Sequence, residues 1–314
     1  MKAPVCKKKP VTLEKHDHKR IDNYYWLNDR ENPEVINYLE KENNYTEKMT
    51  ADTQQLRDDL FEEMKGRIKQ DDSSVPYKYN GYYYYSRYEK GKEYPIFCRK
   101  KGSLDSKEEI MMDVNKEAEG FEYFQIPGLD ISPDNNLAAF GVDKKGRRIY
   151  TLKVKDLRTD ELLDIEIPGT AGSIAWSKDS KTIYYTLKDD ALRPYKIMKI
   201  NIFENNEPVE IYTEKDETFI THAYNSKSDD YIFIASNSTM SDEYRFIRSD
   251  EPDSEFKIFQ NRIRGMEYSI EHFNDKFFIL TNKDAKNFKL VQTDINKTEQ
   301  ENWKDVIPHR ERVL

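Results

Sequence analysis

The absence of several sequence features restricts the cellular compartments in which this protein can reside. Its 314 residues contain no apolar run of about 18 residues, the length that a membrane-spanning helix needs. The lysine-rich N-terminus is not followed by an apolar stretch, which argues against a secretory signal. Cys6 and Cys98 are the two cysteines, and their wide separation fits a reducing compartment better than a disulfide framework. We therefore expect a cytoplasmic protein without a membrane partner.

The motifs of common catalytic and cofactor sites are also missing. None of the 11 glycines belongs to a Gly-x-Ser-x-Gly nucleophile motif or to a glycine-rich phosphate loop. The five histidines are scattered, and His16 and His18 have no third or fourth metal ligand at helical or hairpin spacing. No nucleophile has an evident activating group nearby. We expect no catalytic residue, no metal and no cofactor in this chain.

Charge is abundant and unevenly distributed. Charged residues make up 35% of the sequence, and the formal net charge is −8. Residues 1–20 carry seven Lys/Arg and two Asp/Glu, a net +5 that leaves −13 on the remaining residues. An acidic body disfavours nucleic acid and mildly favours cationic partners, although an acidic surface is more often only solvated.

The strongest positive signal is a repeat of about 45 residues. Segment 131–140 (ISPDNNLAAF) joins two apolar strands through a polar turn, and the same order returns three times. The later copies are 174–185, 223–234 and 270–280. The turn aspartates are Asp134, Asp179, Asp230 and Asp275, at spacings of 45, 51 and 45 residues. Such a period is typical of β-propeller blades, in which each sheet covers the next, and a β-sandwich is the alternative.

Each repeat continues with two more strand-like runs. The third runs are 148–154, 195–200, 244–248 and 288–293. The fourth runs, with the alternation of half-exposed edge strands, are 162–167, 209–212, 256–259 and 303–307. Segment 76–99 adds an earlier blade, because its tyrosine-rich runs flank Asn80-Gly81, a strong hairpin signal. The sequence thus predicts an all-β propeller of about five four-stranded blades over residues 73–314.

Residues 1–72 form a different region, an arm followed by two helices. The arm, 16–27, is dense in aromatic residues and is expected to dock on another surface. Asn32 and Pro33 predict an N-cap and a first helical position, and apolar residues recur at helical spacing over 53–69. Each helix has an apolar face but too few residues for its own core. That face needs the propeller or a partner domain to cover it.

Segments along the whole chain are similar to landmarks of one enzyme group. In the N-terminal region they are 18–27 (HKRIDNYYWL), 32–35 (NPEV) and 38–43 (YLEKEN). In the repeats they are 132–135 (SPDN), 192–195 (LRPY), 214–218 (EKDET), 267–269 (EYS) and 286–288 (KNF), in the same order. Together they resemble the N-terminal part of the oligopeptidase B (protease II) branch of the prolyl oligopeptidase family of serine peptidases.

The resemblance implies a larger enzyme. In that family a seven-bladed propeller caps an α/β-hydrolase domain, and a Ser-Asp-His triad in the hydrolase domain cleaves short peptides after Lys or Arg. This chain would then comprise the N-terminal extension and about five of the seven blades, ending at 309–314 as a sixth begins. No triad residue can be carried over, and the hydrolase domain and short basic peptides would be its partners. The alternative is a stand-alone propeller that binds a protein or peptide and performs no chemistry.

The substrate-access candidates lie next to an inner strand. They are Asp143, Arg147 and Arg148, in the loop after the hairpin of the second blade. The resemblance also implies an acidic residue just before segment 173–176, facing a basic substrate side chain. Here that position falls in 169–172 (GTAG), which has no carboxylate. The resemblance therefore does not supply that contact.

Overall fold

The fold was taken from a computed structural model, which describes residues 2–204 and 207–312. The chain divides into two compact units, Met1–Gln70 and Asp71–Leu314. Val313 and Leu314, within the segment where a further strand was predicted to begin, lie outside the described residues. In the part of the chain that is described, no helix combines the length and the apolar character needed to cross a bilayer.

The first unit begins with a hairpin that the sequence analysis did not predict. Strands β1 (Val11–Lys15) and β2 (His18–Asp22) pair antiparallel. The two turn residues, His16 and Asp17, both have positive φ, 52° and 60°. A two-residue turn of this kind usually carries Asn-Gly or Asp-Gly, so a His-Asp pair gives little local signal.

The hairpin is followed by helices α1 (Pro33–Met49) and α2 (Gln54–Gly66). The predicted cap of α1 is confirmed, because the Asn32 side chain accepts a hydrogen bond from the Glu34 amide at 2.9 Å. Glu34 also binds the ammonium groups of Lys7 at 3.0 Å and Lys9 at 2.5 Å, and these two lysines lower its pKa. Trp26 donates its indole N–H to the Lys7 carbonyl at 3.0 Å. The aromatic arm therefore docks beside the first turn of α1.

The predicted apolar faces of the helices are present but largely uncovered within this unit. In α1, Val35 is the buried residue, and α2 has none. The apolar residues predicted for the second helix are all exposed by 45–68%: Leu56, Leu60, Phe61, Met64 and Ile68. The helix itself ends at Gly66, short of the predicted residue 69, and Ile68 follows its end.

The second unit consists of antiparallel four-stranded sheets. Strands of the first blade are β3 (Tyr77–Tyr79), β4 (Tyr82–Arg87), β5 (Ile96–Lys101) and β6 (Glu108–Asp113), in sequential order. Strands of the fourth are β14 (Ile220–Asn225), β15 (Tyr231–Asn237), β16 (Asp242–Arg248) and β17 (Lys257–Gln260). Strands of the fifth are β18 (Tyr268–Phe273), β19 (Lys276–Thr281), β20 (Lys289–Asp294) and β21 (Lys304–Ile307).

The second and third blades share one long strand. Their strands are β7 (Asp130–Ile131), β8 (Leu137–Val142), β9 (Tyr150–Asp156), β10 (Glu161–Trp176), β11 (Thr182–Lys188), β12 (Pro194–Asn201) and β13 (Val209–Thr213). The 16-residue β10 pairs first with β9 and then with β11, so that it is the outer strand of one blade and the inner strand of the next. Gly169 and Gly172 allow the crossing with φ of 78° and 90°. The described part of the chain thus contains five four-stranded blades, which confirms the predicted fold class.

Apolar side chains between adjacent sheets form the core. Phe277 of the fifth blade is fully buried, and its ring lies 5.0 Å from Tyr231 and 5.3 Å from Phe246 of the fourth blade. Between the third and fourth blades, Tyr184 and Ile197 pack with Ile232. Each sheet thus covers its neighbour, which is the physical reason that the repeat was interpreted as a propeller.

The register of the repeats differs from the predicted one. The turns between the first two strands of the four repeats each contain a left-handed residue: Asn135, Ser180, Asp229 and Asn274. The first three are each the third residue of a four-residue turn, whereas Asn274 is the first residue of a two-residue turn. These residues are 45, 49 and 45 positions apart. Asp134 and Asp179 precede the left-handed residue, whereas Asp230 and Asp275 follow it. The turn aspartates are therefore not equivalent, and the predicted spacing of 51 was wrong as a structural register.

Candidate functional site

The strand order gives the propeller two distinct ends. Connections between the first and second strands of a blade, which contain the left-handed turn residues, lie at one end, called here the turn end. Connections between second and third strands, and those between successive blades, lie at the opposite end, called here the loop end. The first strands are the inner ones and surround the central channel, as in other propellers.

The three predicted access residues lie together in one loop at the loop end, between β8 and β9. Asp143 is fully buried, and its carboxylate accepts amide hydrogen bonds from Lys145 at 2.8 Å, Gly146 at 3.1 Å and Arg148 at 2.6 Å. These three hydrogen bonds from the loop amides hold the loop in its conformation. Arg147 and Arg148 are exposed, and Arg148 has a positive φ of 53°. Of the three predicted residues, Arg147 and Arg148 therefore present their side chains to solvent and Asp143 does not.

A hydrogen bond crosses the turn end between two non-adjacent blades. The Tyr79 hydroxyl, at the end of inner strand β3, donates to Asp229 Oδ2 at 2.7 Å, in the turn between β14 and β15. Next to it, Asn80 Nδ2 donates to the Pro133 carbonyl of the second blade at 2.5 Å. Burial raises the pKa of Asp229, and the hydrogen bond from Tyr79 partly opposes this. The first blade is thus hydrogen-bonded to both the second and the fourth blade at the turn end.

Another carboxylate near this end has no hydrogen-bonding partner among the described residues. Asp130 begins inner strand β7, and its backbone carbonyl accepts from the Trp176 indole at 2.9 Å. Its side chain is exposed to solvent by surface area, yet protein atoms surround it closely. The resulting loss of hydration raises its pKa to about 7.

A buried ionic network at the loop end was missed by the sequence analysis. Glu214 is only 4% exposed and accepts hydrogen bonds from Arg262 Nη2 at 2.6 Å and from the Tyr212 hydroxyl at 2.7 Å. Burial alone would raise the pKa of Glu214, but the bonds from Arg262 and Tyr212 outweigh it and lower the pKa. The Arg262 guanidinium also lies 3.6 Å from the centre of the Phe219 ring. This network fixes the loops that connect the third, fourth and fifth blades.

Arg193 connects the network to a second loop. It pairs with Asp189 at 3.0 Å and donates to the carbonyls of Asp216 at 3.2 Å and Phe219 at 2.9 Å. Arg193 and Glu214 belong to segments 192–195 and 214–218, two of the landmarks on which the family resemblance was based. That shared family pattern was the available signal, because nothing in the local spacing predicts that these segments meet.

The chain is similar to known proteins over nearly its whole length. A family model described as the prolyl oligopeptidase N-terminal β-propeller domain matches residues 4–314. The chain belongs to this family. Dipeptidyl aminopeptidase BI of Pseudoxanthomonas mexicana is 36% identical over an alignment of 330 residues, gaps included. The alignment covers 99% of this chain and 46% of that protein. Protease 2 of Moraxella lacunata is 33% identical over an alignment that covers 100% of this chain and 48% of that protein.

Solved structures of the family agree with the fold. Oligopeptidase B from Leishmania major superposes with a TM-score of 0.90 at 30% identity, covering 99% of this chain and 47% of that one. Oligopeptidase B from Trypanosoma brucei, in a closed form with covalently bound antipain, gives a TM-score of 0.89 at 27% identity with the same coverage. The resemblance to oligopeptidase B is confirmed. The chain spans about half the length of the relatives it matches.

Proposed function

We propose that this chain controls peptide access in a serine peptidase that cleaves short peptides after Lys or Arg, with an α/β-hydrolase domain supplying the chemistry. Membership of the propeller family and similarity to two oligopeptidase B structures support the peptidase assignment. The observation that carries the access role is the hydrogen bond between Tyr79 and Asp229. It joins two blades that are not neighbours, so a peptide entering by the turn end has to pass or break it.

The preference for basic peptides is proposed on electrostatic grounds. The net charge of −13 outside residues 1–20 raises the local concentration of cationic peptides and disfavours anionic ones. At the loop end, the exposed Arg147 and Arg148 are proposed to meet the substrate there and to limit the positions that its own cationic side chains can occupy. Both effects act on binding and approach, and neither requires a catalytic group in this chain.

The peptidase assignment is tested with reporter peptides. A full-length protein containing this chain should release a chromophore from blocked Lys and Arg reporters much faster than from otherwise identical Pro or Leu reporters. The chain of 314 residues alone should leave all of them intact, since it offers no activated nucleophile. Turnover that scales with the isolated chain and is lost with a serine-reactive inhibitor would contradict the proposal.

The access role is tested by removing the hydrogen bond across the turn end. In the full-length protein, Tyr79→Phe should raise kcat/KM for longer peptides relative to short ones, because the opening at the turn end loses this cross-link. Tyr83→Phe removes a hydroxyl from the same blade and should leave the ratio unchanged. An equal ratio in wild type and Tyr79→Phe would show that peptides do not enter past this pair.

A further inference from the structure

A cleft that was assigned no role above lies at the loop end. Three connecting loops, 216–219, 238–241 and 262–264, enclose about 590 Å³. They are held in place by the Glu214–Arg262 ion pair and by a hydrogen bond from the Gly265 amide to Ser241 Oγ at 3.0 Å. These contacts fix the positions of the three loops relative to one another. We refer to it as the 216–264 cleft.

The acceptor groups around the cleft are already engaged. Asp216 Oδ1 accepts from the amide of Thr218 at 2.9 Å and from its hydroxyl at 2.7 Å. Asp216 Oδ2 lies 3.8 Å from Arg262 Nη1. Ser238 Oγ accepts from the Ser241 amide at 3.1 Å and donates to the Ser241 carbonyl at 3.0 Å. A cationic ligand would therefore meet carboxylates that already have partners.

Donor groups, in contrast, remain available. Arg264 is exposed at the cleft, and among residues 2–204 and 207–312 no carboxylate pairs with it. Arg262 is already engaged, because it pairs with Glu214 and its Nη2 lies 3.6 Å from Glu243 Oε1. A guanidinium presents five N–H donors and no acceptor, so the unpaired Arg264 favours a ligand rich in oxygen acceptors.

Beside these donors the cleft has an apolar wall. The Met240 side chain is 61% exposed at its edge, and Phe219 forms part of its lining. Methionine adapts to neighbouring apolar groups of varied shape. The arrangement suits a ligand in which a carboxylate stands next to an apolar side chain, as at the end of a peptide.

We propose that the 216–264 cleft binds the carboxylate of a peptide through Arg264, with the adjacent apolar side chain against Met240. The ligand being a peptide rests on the proposed function, whereas the carboxylate preference rests on the donors and acceptors of the cleft. The carboxylate can come from the C-terminus of the peptide or from an Asp or Glu side chain. Such a site would hold one end of a substrate or product away from the point of cleavage.

The test uses the chain itself and peptides without basic residues. Fluorescence anisotropy of N-terminally labelled Ala-Ala-Ala-Leu, as free acid and as amide, should give about tenfold tighter binding of the acid, equivalent to about 1.4 kcal/mol. Ala-Ala-Asp-Leu amide distinguishes a side-chain carboxylate from the terminal one. Arg264→Gln should abolish the preference for the acid, whereas Arg20→Gln, which changes an exposed arginine of the first unit, should preserve it.

The outcomes separate this proposal from the proposed function. No measurable binding of either acid-bearing peptide, equal binding of acid and amide, or a preference that persists in Arg264→Gln would each overturn the site. Cleavage of a C-terminally blocked reporter by the full-length protein does not need this cleft. That activity therefore reports on the peptidase assignment alone.

Discussion

Helix α2 and the blades use the same kind of apolar residue in opposite surroundings. Phe61 of α2 is 59% exposed, whereas Phe277 of the fifth blade is fully buried. Leu56, Leu60, Phe61 and Met64 lie at helical spacing within α2, whereas the predicted Ile68 follows its end. In the blades, the repeat also indicates what covers the apolar face, because each blade packs on the previous one. Helix α2 has no second copy to pack against. A pattern can therefore locate an apolar face without identifying what covers it.

The largest difference is expected in local stability. Amides of residues 33–69 should exchange with solvent at least about a thousandfold faster than those of 183–187 in the monomeric chain, because opening an uncovered helix costs little free energy and opening a central strand approaches global unfolding. Hydrogen exchange followed by mass spectrometry measures both segments in one sample. Equal protection of the two segments would mean that the helices are already covered, and the comparison would fail.

The next effect is the cost of truncating the two phenylalanines. Phe277→Ala should lower the free energy of unfolding by about 3–5 kcal/mol, because it leaves a cavity among rings of two blades. Phe61→Ala, the matched change on α2, should alter it by less than about 0.5 kcal/mol. Urea unfolding followed by tryptophan fluorescence gives both values. If the two variants lose similar stability, Phe61 must be packed in solution.

The comparison extends to ion pairs. Arg67, directly after the last residue of α2, pairs with Glu63, and both side chains are exposed, whereas Arg262 pairs with the buried Glu214. Arg262→Met should cost about 3 kcal/mol, because it leaves a buried carboxylate without its partner, and Arg67→Met should cost less than about 0.5 kcal/mol.

The pH dependence of the Arg262 variant provides a check. The lowered pKa of Glu214 contributes stability above the pKa of the unfolded state, and this contribution is lost as the pH falls through the folded value. The penalty of Arg262→Met should therefore shrink in acid. A penalty of the same size at pH 7 and at pH 3 would indicate that lost packing on Phe219, not the lost charge, dominates.

The smallest effect concerns a blade residue that is crowded but has no partner. The raised pKa of Asp130, about 7, means that its ionisation disfavours folding. Its unfavourable contribution is absent below the unfolded pKa of about 4 and is fully present above about pH 7. Asp130→Asn should therefore stabilise the chain at pH 8 and have little effect at pH 4, as measured by thermal unfolding. Stabilisation of equal size at both values would contradict this assignment.

Much of the fold could be predicted because its information is local. The four repeats, the Asn80-Gly81 turn and the Asn32 cap are each recorded within a few consecutive residues. The register was less accessible, since turns at Asp179 and Asp230 place their aspartates on opposite sides of the left-handed residue. A turn tolerates several polar residues at each position, so one residue type is a poor marker of equivalence.

The candidate sites were harder to predict because they depend on contacts between distant segments. Tyr79 and Asp229 are 150 positions apart, and Arg262 reaches Glu214 across 48. No repeating pattern in the sequence predicts contacts between residues so far apart. Asp143 was chosen as a charged loop residue, but whether a loop carboxylate faces solvent or its own amides depends on the backbone of that loop, which charge patterning does not contain.

The long strand β10 has a mechanical consequence. A blade boundary crossed by a loop can widen by rotation about a few backbone bonds, and such loops follow the first, third and fourth blades. The boundary between the second and third blades is instead crossed by a continuous strand, which pairs with β9 up to Thr170 and with β11 from Thr170 onwards. We expect these two blades to be coupled more tightly than the other neighbouring pairs. Hinges for movement between blades should therefore be sought first at the boundaries crossed by loops.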